Sequence, residues 1–408
     1  MTTEQRYLGL DVHKKYIMVA AVNAQQEVLI KPRKIATERF WKWATANLRA
    51  TDVVALEASG DTWYFYDRLA AMVKAVKVAN AGQIDQIGAT RTKTDKRDAL
   101  TLAKRLAAKL LPTVWVPPEH VRELRSLMAH RRRLVRERVA AKNRLHSILR
   151  RHHLTTPAGD PFSDANRDWW LALNIPSVDQ LRVRHELIHI QHLAQLVAET
   201  DETIARLSTV EPWAGQVAFL IQLPGVGLKS AMTILSAIGA IERFKSASKL
   251  VGYAGLGASV HASGEIRRTG KITKEGRREL RATLVECAWT AVQYSVYWKA
   301  QYERFTQRMC KQKAITVIAR KLLVVIWHVL SKREVDRHAD VQRIARSLLT
   351  WASRHRVATS LGLSRLAFVR QQLARLGIKQ PMEQMRYGGT VYELAYRGEE
   401  AVSPELAA

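Results

Sequence analysis

From Glu119 to His153 the chain runs through thirty-five residues without a proline or a glycine. Within that run Leu127, Leu134, Ala141 and Ile148 recur every seven residues, flanked by Val121, Leu124, Met128, Val135, Leu145 and Leu149. The spacing predicts one long amphipathic helix, because a seven-residue apolar repeat keeps a single seam on one face. Such a seam needs a cover. A second helix is expected from about Val178 to Ser208, where Ile190, Leu193, Val197, Ile204 and Leu207 fall at heptad-like steps. Thr155 to Ser177, with Pro157, Gly159, Pro161 and Pro176, reads as the loop between them. The two helices form an antiparallel pair in this reading, with a seam that also suits dimerisation. Pro112, Pro117 and Pro118 mark a linker before it. The chain then divides into 1–112, a basic helical coiled-coil middle at 113–212, a second domain at 213–330 and a basic helical extension at 331–408.

The outer face of the long helix is strongly cationic. Glu119 to His153 carries eleven Lys or Arg against three Glu. Arg131, Arg132, Arg133, Arg136 and Arg138 exceed what solvation of one face requires. The excess extends to the whole chain, with 65 basic against 37 acidic residues and a formal charge of +28. A polyanion is the expected partner, since neutralising phosphates releases counterions and dominates nucleic-acid affinity. The basic residues are spread along the sequence, which argues against a juxtamembrane cluster. The strongly apolar run Leu322 to Leu330 is too short to span a bilayer, and no signal pattern opens the chain. Cys287 and Cys310 lack metal-ligand spacing and read as buried thiols, which points to a reducing, cytoplasmic, nucleoid-associated protein without disulfides.

The first 112 residues read as an α/β domain. Strands are expected at Tyr7 to His13, at Tyr16 to Asn23 and at Val28 to Ile35, the last an edge because of Pro32. Thr37 is expected to cap a helix to Leu48, Val53 to Leu56 is a short buried strand ending at Glu57, and a helix from Asp61 to Met72 precedes a strand at Ala75 to Ala79. Three meandering strands followed by alternating helices and strands is the order of an RNase H-like fold. Asp11 interrupts an otherwise apolar strand, where a charge is costly unless paired or metal-bound. Glu57 ends the next buried strand. Asp95 and Asp98 are three apart at the start of a helix to Leu110, and so share a face. Four such oxygen donors suit two magnesium or manganese ions that stabilise the attacking and leaving oxygens of phosphoryl transfer. His13 reads as structural, since it shares Asp11's face only if the strand stays regular.

The second domain offers two further features. Leu223-Pro224-Gly225-Val226-Gly227 is a tight turn opening a helix near Lys229, and Gly225, Gly227 and Lys229 there suit a phosphate. Ser263-Gly264 is expected in a polar loop, followed by seven Lys or Arg against three Glu from Glu265 to Arg281. Two readings stand for that stretch. In one, Ser263 is a nucleophile for a phosphodiester; in the other, this is a helix-hairpin-helix-like DNA clamp beside a solvated basic loop.

Taken together, YLGLDVHK at 7–14, ALEASG at 55–60, KTDKRDALTLAKRL at 93–106, LPGVGLKSA at 223–231, LVGYAGL at 250–256 and SGEIRRTGKITKEGRRELR at 263–281 resemble the DEDD-type transposases of bacterial insertion sequences. These are the bridge-RNA-guided recombinases, and the resemblance covers about 1–330. It implies a RuvC-like catalytic domain, a coiled-coil element that assembles protomers and contacts the guide RNA, and a mostly helical transposase domain. It implies that Asp11, Glu57, Asp95 and Asp98 bind metal and that Ser263 is the nucleophile. Ser259 is the nearest rival but lacks the following glycine. Arg267, Arg268, Lys271 and Lys274 would contact phosphate. Family members assemble the site from two domains of different protomers, which implies a dimer, and a tetramer when donor and target DNA are exchanged. The rival function is a two-metal Holliday-junction nuclease in which Ser263 is a bystander, and a non-enzymatic scaffold is third.

Overall fold

The structure, a computed structural model, describes residues 5–80, 95–263 and 266–398, with the side chains of 260–269 outside that description. Lys93 and Thr94 of the helix-opening motif, Gly264, Glu265 and the AVSPELAA end therefore lie outside the described residues. Internal contacts divide the chain into two units, residues 1–117 and 118–408.

The first unit is a mixed sheet with helices on both faces. Its elements are β1 (Tyr7–Val12), β2 (Tyr16–Val22), β3 (Val28–Ala36), α1 (Thr37–Asn47), β4 (Val53–Glu57), α2 (Thr62–Ala70), β5 (Ala75–Ala79) and α3 (Asp95–Ala107). The strand order is β3-β2-β1-β4-β5. β1 pairs antiparallel with β2 and parallel with β4, and Pro32 lies on edge strand β3, where a missing N–H is tolerated. Thr37 is the first helical residue and not a side-chain cap: its hydroxyl donates to the Lys14 carbonyl. The central strands are apolar on both faces because both are covered. Leu8, Leu10, Val54 and Leu56 pack against Phe40, Phe65 and Leu69 on one side. Val53, Ala55 and Ala79 meet Leu102 and Leu106 of α3 on the other. Asp52, fully buried before β4, accepts 2.9 and 2.7 Å hydrogen bonds from the Arg6 guanidinium.

The second unit is helical with two hairpins. Its elements are α4 (Glu119–Arg151), α5 (Arg167–Leu171), α6 (Ser177–Leu207), α7 (Ala214–Ile221), α8 (Leu228–Ile238), α9 (Ala247–Tyr253), β6 (Ala258–Ser263), β7 (Ile266–Ile272), α10 (Arg278–Tyr294), α11 (Val296–Thr306), α12 (Lys311–Lys332), α13 (Val341–Ser353), α14 (Val357–Ser360), α15 (Arg365–Arg375), β8 (Met382–Tyr387) and β9 (Thr390–Tyr396). The antiparallel pairing of α4 with α6 follows from their apolar seams. Leu145, Ile148 and Leu149 meet Val183 and Leu187 at one end, and Leu134 meets Leu193 and Val197 further along. Trp170, 1% exposed, plugs the loop end of the pair and donates to the Pro161 carbonyl at 2.7 Å.

Four expectations change. Ser263 ends β6 of an antiparallel hairpin and is not in an irregular loop; Ser263 pairs with Ile266 across the turn. The residues after Pro381 form a second hairpin, in which Gly388 and Gly389, both at positive φ, make a tight two-residue turn between Tyr387 and Thr390. Cys310 is exposed at the start of α12, whereas Cys287 is buried and its thiol is pushed up to about 11 by desolvation. The run Leu322 to Leu330 belongs to α12, which by length and composition alone could cross a bilayer. Its apolar residues Ile315, Ile318, Leu322, Leu323 and Ile326 are buried in the helical core instead. The residues after 331 pack back onto the rest of this unit: Trp351 Nε1 donates to Ser208 Oγ at 3.0 Å, and Arg343 reaches the Gln222 carbonyl.

Candidate active site

Strand parity decides which way the acids point. On β1, Tyr7 and Gly9 face α3, so Asp11 does too; on β4, Val53 and Ala55 face α3, so Glu57 does too. Leu10 pairs with Leu56 as the last register pair of β1 and β4, and Asp11 and Glu57 are the next residue on each strand. Gly9 sets how close the helix lies. A Cβ there would sit 2.0 Å from the Ala99 carbonyl oxygen and 2.7 Å from the Ala103 nitrogen. The backbone of α3 therefore rests directly on β1. Asp95 and Asp98 continue the sheet-facing stripe of Ala99, Leu102 and Ala103 by one turn, which carries them past the packed region toward Asp11.

The result is a cluster at one end of the sheet. One ligand atom from each of Asp11, His13 and Asp95 falls within 4.8 Å of the others. His13 Nε2 lies 2.9 Å from Asp11 Oδ2 and 3.7 Å from Asp95 Oδ2. The Tyr16 hydroxyl donates to Asp95 Oδ2 at 2.5 Å. That hydrogen bond holds the Asp95 carboxyl below its ordinary range and raises the phenol. Glu57, ending β4, and Asp98, in the first turn of α3, are half-buried, and neither supplies an atom to that cluster. His13 and Tyr16 were not expected here. The signal for His13 was its position two residues after Asp11, whereas Tyr16 is joined to Asp95 across 79 residues and left no local trace. The donor set is oxygen-rich and hard, and it fits a divalent cation such as magnesium or manganese.

The second unit presents the hairpin and the helix-opening turn. The base of the β6–β7 hairpin is clamped by backbone. A Cβ on Gly255 would lie 2.0 Å from the Glu275 carbonyl oxygen, and one on Gly276 would lie 2.1 Å from that of Tyr253, both glycines having positive φ. Thr273 N–H donates to the Gly257 carbonyl and Arg277 N–H to the Tyr253 carbonyl. LVGYAGL and KEGRREL are thus the two halves of one clamp. The side chains of Ser263, Arg267 and Arg268 lie outside the described residues, while Lys271 and Lys274 are exposed on the hairpin's return.

Below the clamp, guanidinium groups cap the C-terminal end of α8. Arg125 donates to the Ser236 and Ala237 carbonyls at 2.7 and 3.1 Å, and Arg243 to the Ile238 carbonyl at 2.9 Å. Free carbonyls and the helix dipole favour cations there. Burial, followed by the neighbouring Arg277, lowers Arg125 to about 10. The Tyr253 hydroxyl donates to the Ala237 carbonyl at 3.1 Å and accepts from Arg277 at 3.1 Å.

The turn before α8 has two glycines with different duties. Gly225, at φ +81°, lets its loop pass within a Cβ distance of 2.2 Å of the Cys287 carbonyl on α10, so its close approach is to the chain itself. Gly227 has no neighbour within 4 Å of a Cβ position and leaves the first turn of α8 open. Lys229 binds Asp201 of α6 at 2.9 Å, and Arg131 of α4 shares the same nearly buried carboxylate. Those two cations are drawn inward. Arg132 approaches Glu279 at 4.0 Å and Arg133 approaches Glu137 at 3.8 Å. Arg136 and Arg138 have no carboxylate within ion-pair distance among the described residues.

Comparison with known proteins fits this layout. Residues 8–154 match a DEDD transposase family profile of the IS110 type, and residues 217–303 match one described as "Transposase IS116/IS110/IS902 family". A putative transposase, y4qE, of Sinorhizobium fredii is 30% identical over 268 residues, which cover 64% of this chain and 65% of that relative, a little under two thirds of its length. The pilin gene-inverting protein of Moraxella bovis is 27% identical over 79% of this chain and 95% of its own. The transposase of insertion sequence element IS1111A from Coxiella burnetii is 23% identical over 81% and 91%. The first profile covers the sheet with its acidic cluster and the long helix, the second covers the clamp and its hairpin, and both name one lineage: the chain belongs to the IS110 family of DNA transposases.

Proposed function

We propose that this chain is an RNA-guided recombinase of an insertion sequence that exchanges DNA strands through a phosphoserine intermediate. The first unit is read as an RNase H-like, RuvC-type domain whose strand order β3-β2-β1-β4-β5 agrees with that class. Asp11, Glu57, Asp95 and Asp98 are its metal ligands. The observation that supports this most directly is that Asp11 and Asp95, far apart in sequence, offer carboxylate oxygens to one cluster. Magnesium or manganese held there supplies charge stabilisation at the scissile phosphate and eases deprotonation of the attacking alcohol.

The remaining work belongs to the chain. Ser263 Oγ loses its proton and forms an Oγ–P bond as the P–O3′ bond breaks, and the departing 3′-oxygen takes up a proton to become a free 3′-hydroxyl. Bond energy is conserved as a serine phosphodiester. The 3′-hydroxyl of another strand then attacks that ester and releases Ser263. Carboxylates alone give a serine little nucleophilicity at neutral pH, so the quartet and Ser263 must act on one phosphodiester in the oligomer. Arg136, Arg138, Lys271 and Lys274 are read as backbone contacts to guide RNA and DNA. Recognition of donor and target is left to base pairing, as in other RNA-guided systems.

The test is Ser263→Ala together with denaturing gels of cleaved DNA. The expected outcome is loss of the covalent protein–DNA adduct and of all strand exchange. Undiminished cleavage by the variant would instead identify a two-metal junction nuclease. Binding without cleavage by the unaltered protein, unchanged in Asp11→Asn, would identify a scaffold.

A further inference from the structure

We propose that His13 is a direct ligand of the cation bound by Asp11 and Asp95, making this a mixed nitrogen–oxygen site and not an all-carboxylate one. The inference rests on the reading of those acids as metal ligands and adds a residue to it. Its consequence is selectivity: an imidazole donor favours first-row transition metals, manganese being the weakest of them, over magnesium, which takes oxygen.

Distance is the first argument. An octahedral ion with donors at ~2.1 Å places neighbouring donors ~3.0 Å apart and opposite donors ~4.2 Å apart. His13 Nε2 lies 2.9 Å from Asp11 Oδ2, which suits neighbouring positions, and 3.7 Å from Asp95 Oδ2, which lies between the two limits. Bringing the 3.7 Å pair to neighbouring positions takes about 0.7 Å, and bringing the 4.8 Å limit of the set to the span of opposite donors takes about 0.6 Å.

Preorganisation is the second. The His13 backbone N–H donates to the Tyr16 carbonyl at 2.9 Å, closing the turn between β1 and β2. The imidazole lies against the Tyr16 ring with centroids 4.7 Å apart, and Lys34 Nζ sits 3.7 Å over the centroid of that ring. Tyr16 in turn donates to Asp95, the kind of outer contact that fixes a ligating carboxylate. Both the ring and its two acids are therefore oriented before any ion arrives. Accessibility is the third: the side chains of His13, Asp11 and Asp95 are 37%, 13% and 43% exposed, which leaves an ion a path in. The ring atom that meets Asp11 in this hydrogen bond, Nε2, is the one that would ligate the ion.

A purely structural histidine would use the same hydrogen bond to hold Asp11, and one substitution separates the two. Glutamine at position 13 can still donate to Asp11 but offers no imidazole. The experiment uses the full-length protein with Mn2+ as the probe, following bound Mn2+ by EPR and ligand nitrogen by 14N spin-echo modulation. The expected result is 14N coupling in the unaltered protein that is absent in His13→Gln. Mn2+ affinity should fall tenfold or more in that variant, and Mg2+ affinity, read by competition, about threefold or less. Bound Mn2+ without nitrogen coupling, or His13→Gln with Mn2+ affinity intact, overturns the role of His13 and leaves the carboxylate site standing. Mn2+ binding unchanged in Asp11→Asn would overturn the metal site itself.

Discussion

Replacing Gly9 by alanine tests how the acidic cluster is built. The added methyl would begin 2.0 Å from the Ala99 carbonyl oxygen, 2.7 Å from Ala103 N and 2.9 Å from Leu102 Cβ. An ordinary carbon–oxygen contact is roughly 3.3 Å, so α3 must retreat by about 1.3 Å or β1 must bow by the same amount. All three obstacles are backbone or Cβ atoms, and no flexible side chain can swing aside. Overpacking of this kind costs about 1–3 kcal/mol, and a domain of this size loses a few degrees in Tm for each. The functional effect should be larger. Asp95 and Asp98 ride on the displaced helix while Asp11 and Glu57 stay with the sheet, and metal sites tolerate errors of only about 0.2 Å. A misplacement of about 1 Å is expected to lower strand cleavage on the order of a hundredfold. The assay pairs urea denaturation of the full chain with Mn2+ binding and DNA cleavage by the same preparation. Gly9→Ala that binds Mn2+ and cleaves DNA at unaltered levels would refute the claim that the helix-to-strand distance sets the site.

Other outcomes follow from pairings already described. Asp52→Ala strands the Arg6 guanidinium, which is 8% exposed, and should destabilise the first unit by about 3–5 kcal/mol in urea melts, with less than about 1 kcal/mol counting against a buried pair. Asp201 titrates below its ordinary range: burial opposes ionisation, but hydrogen bonds from Arg131 and Lys229 outweigh it. A depressed carboxyl contributes stability that is present above the unfolded pKa of about 4 and lost as pH falls through the folded value. Asp201→Asn should therefore be less stable at pH 7 and should flatten the acid limb of the stability profile below about pH 4; a limb as steep as that of the unaltered protein would remove Asp201 from the account. Arg136→Ala with Arg138→Ala should weaken nucleic-acid binding uniformly across sequences and reduce the salt slope by about one per side chain in filter-binding titrations. An unchanged slope would place both residues away from phosphate.

Much of the architecture could be read because its elements bury apolar faces. The seam of the long helix, the apolar strands and the edge position marked by Pro32 all leave a local pattern. The β6–β7 hairpin does not, since Ala258 to Ser263 and Ile266 to Ile272 carry no run of large apolar side chains that would announce a buried face. The β8–β9 hairpin was legible in hindsight from Gly388-Gly389 between short alternating segments, with Met382, Met385, Leu394 and Tyr396 buried. Asp11, Glu57, Asp95 and Asp98 stood out as acids at strand and helix ends. What brings Asp11 and Asp95 together did not, because the close seat of α3 on Gly9 and the bond from Tyr16 to Asp95 are encounters between distant segments. The turn at Gly225 looked like a place for phosphate, yet its glycine is spent on the neighbouring α10 backbone. Arg131 and Lys229 likewise looked outward in sequence, and only the register of three helices shows that they share Asp201.

The grip of Arg125 on the last carbonyls of α8 makes the long helix a lever with a fixed fulcrum. Thirty-three residues extend about 50 Å, and the fulcrum lies six residues from the near end. The helix cannot roll about its own axis without tearing those hydrogen bonds, so its row of arginines keeps one azimuth. Arg125 and Tyr253 donate to the same Ala237 carbonyl, so one acceptor joins the near end of the long helix to the Tyr253–Arg277 pair at the base of the hairpin that carries Ser263.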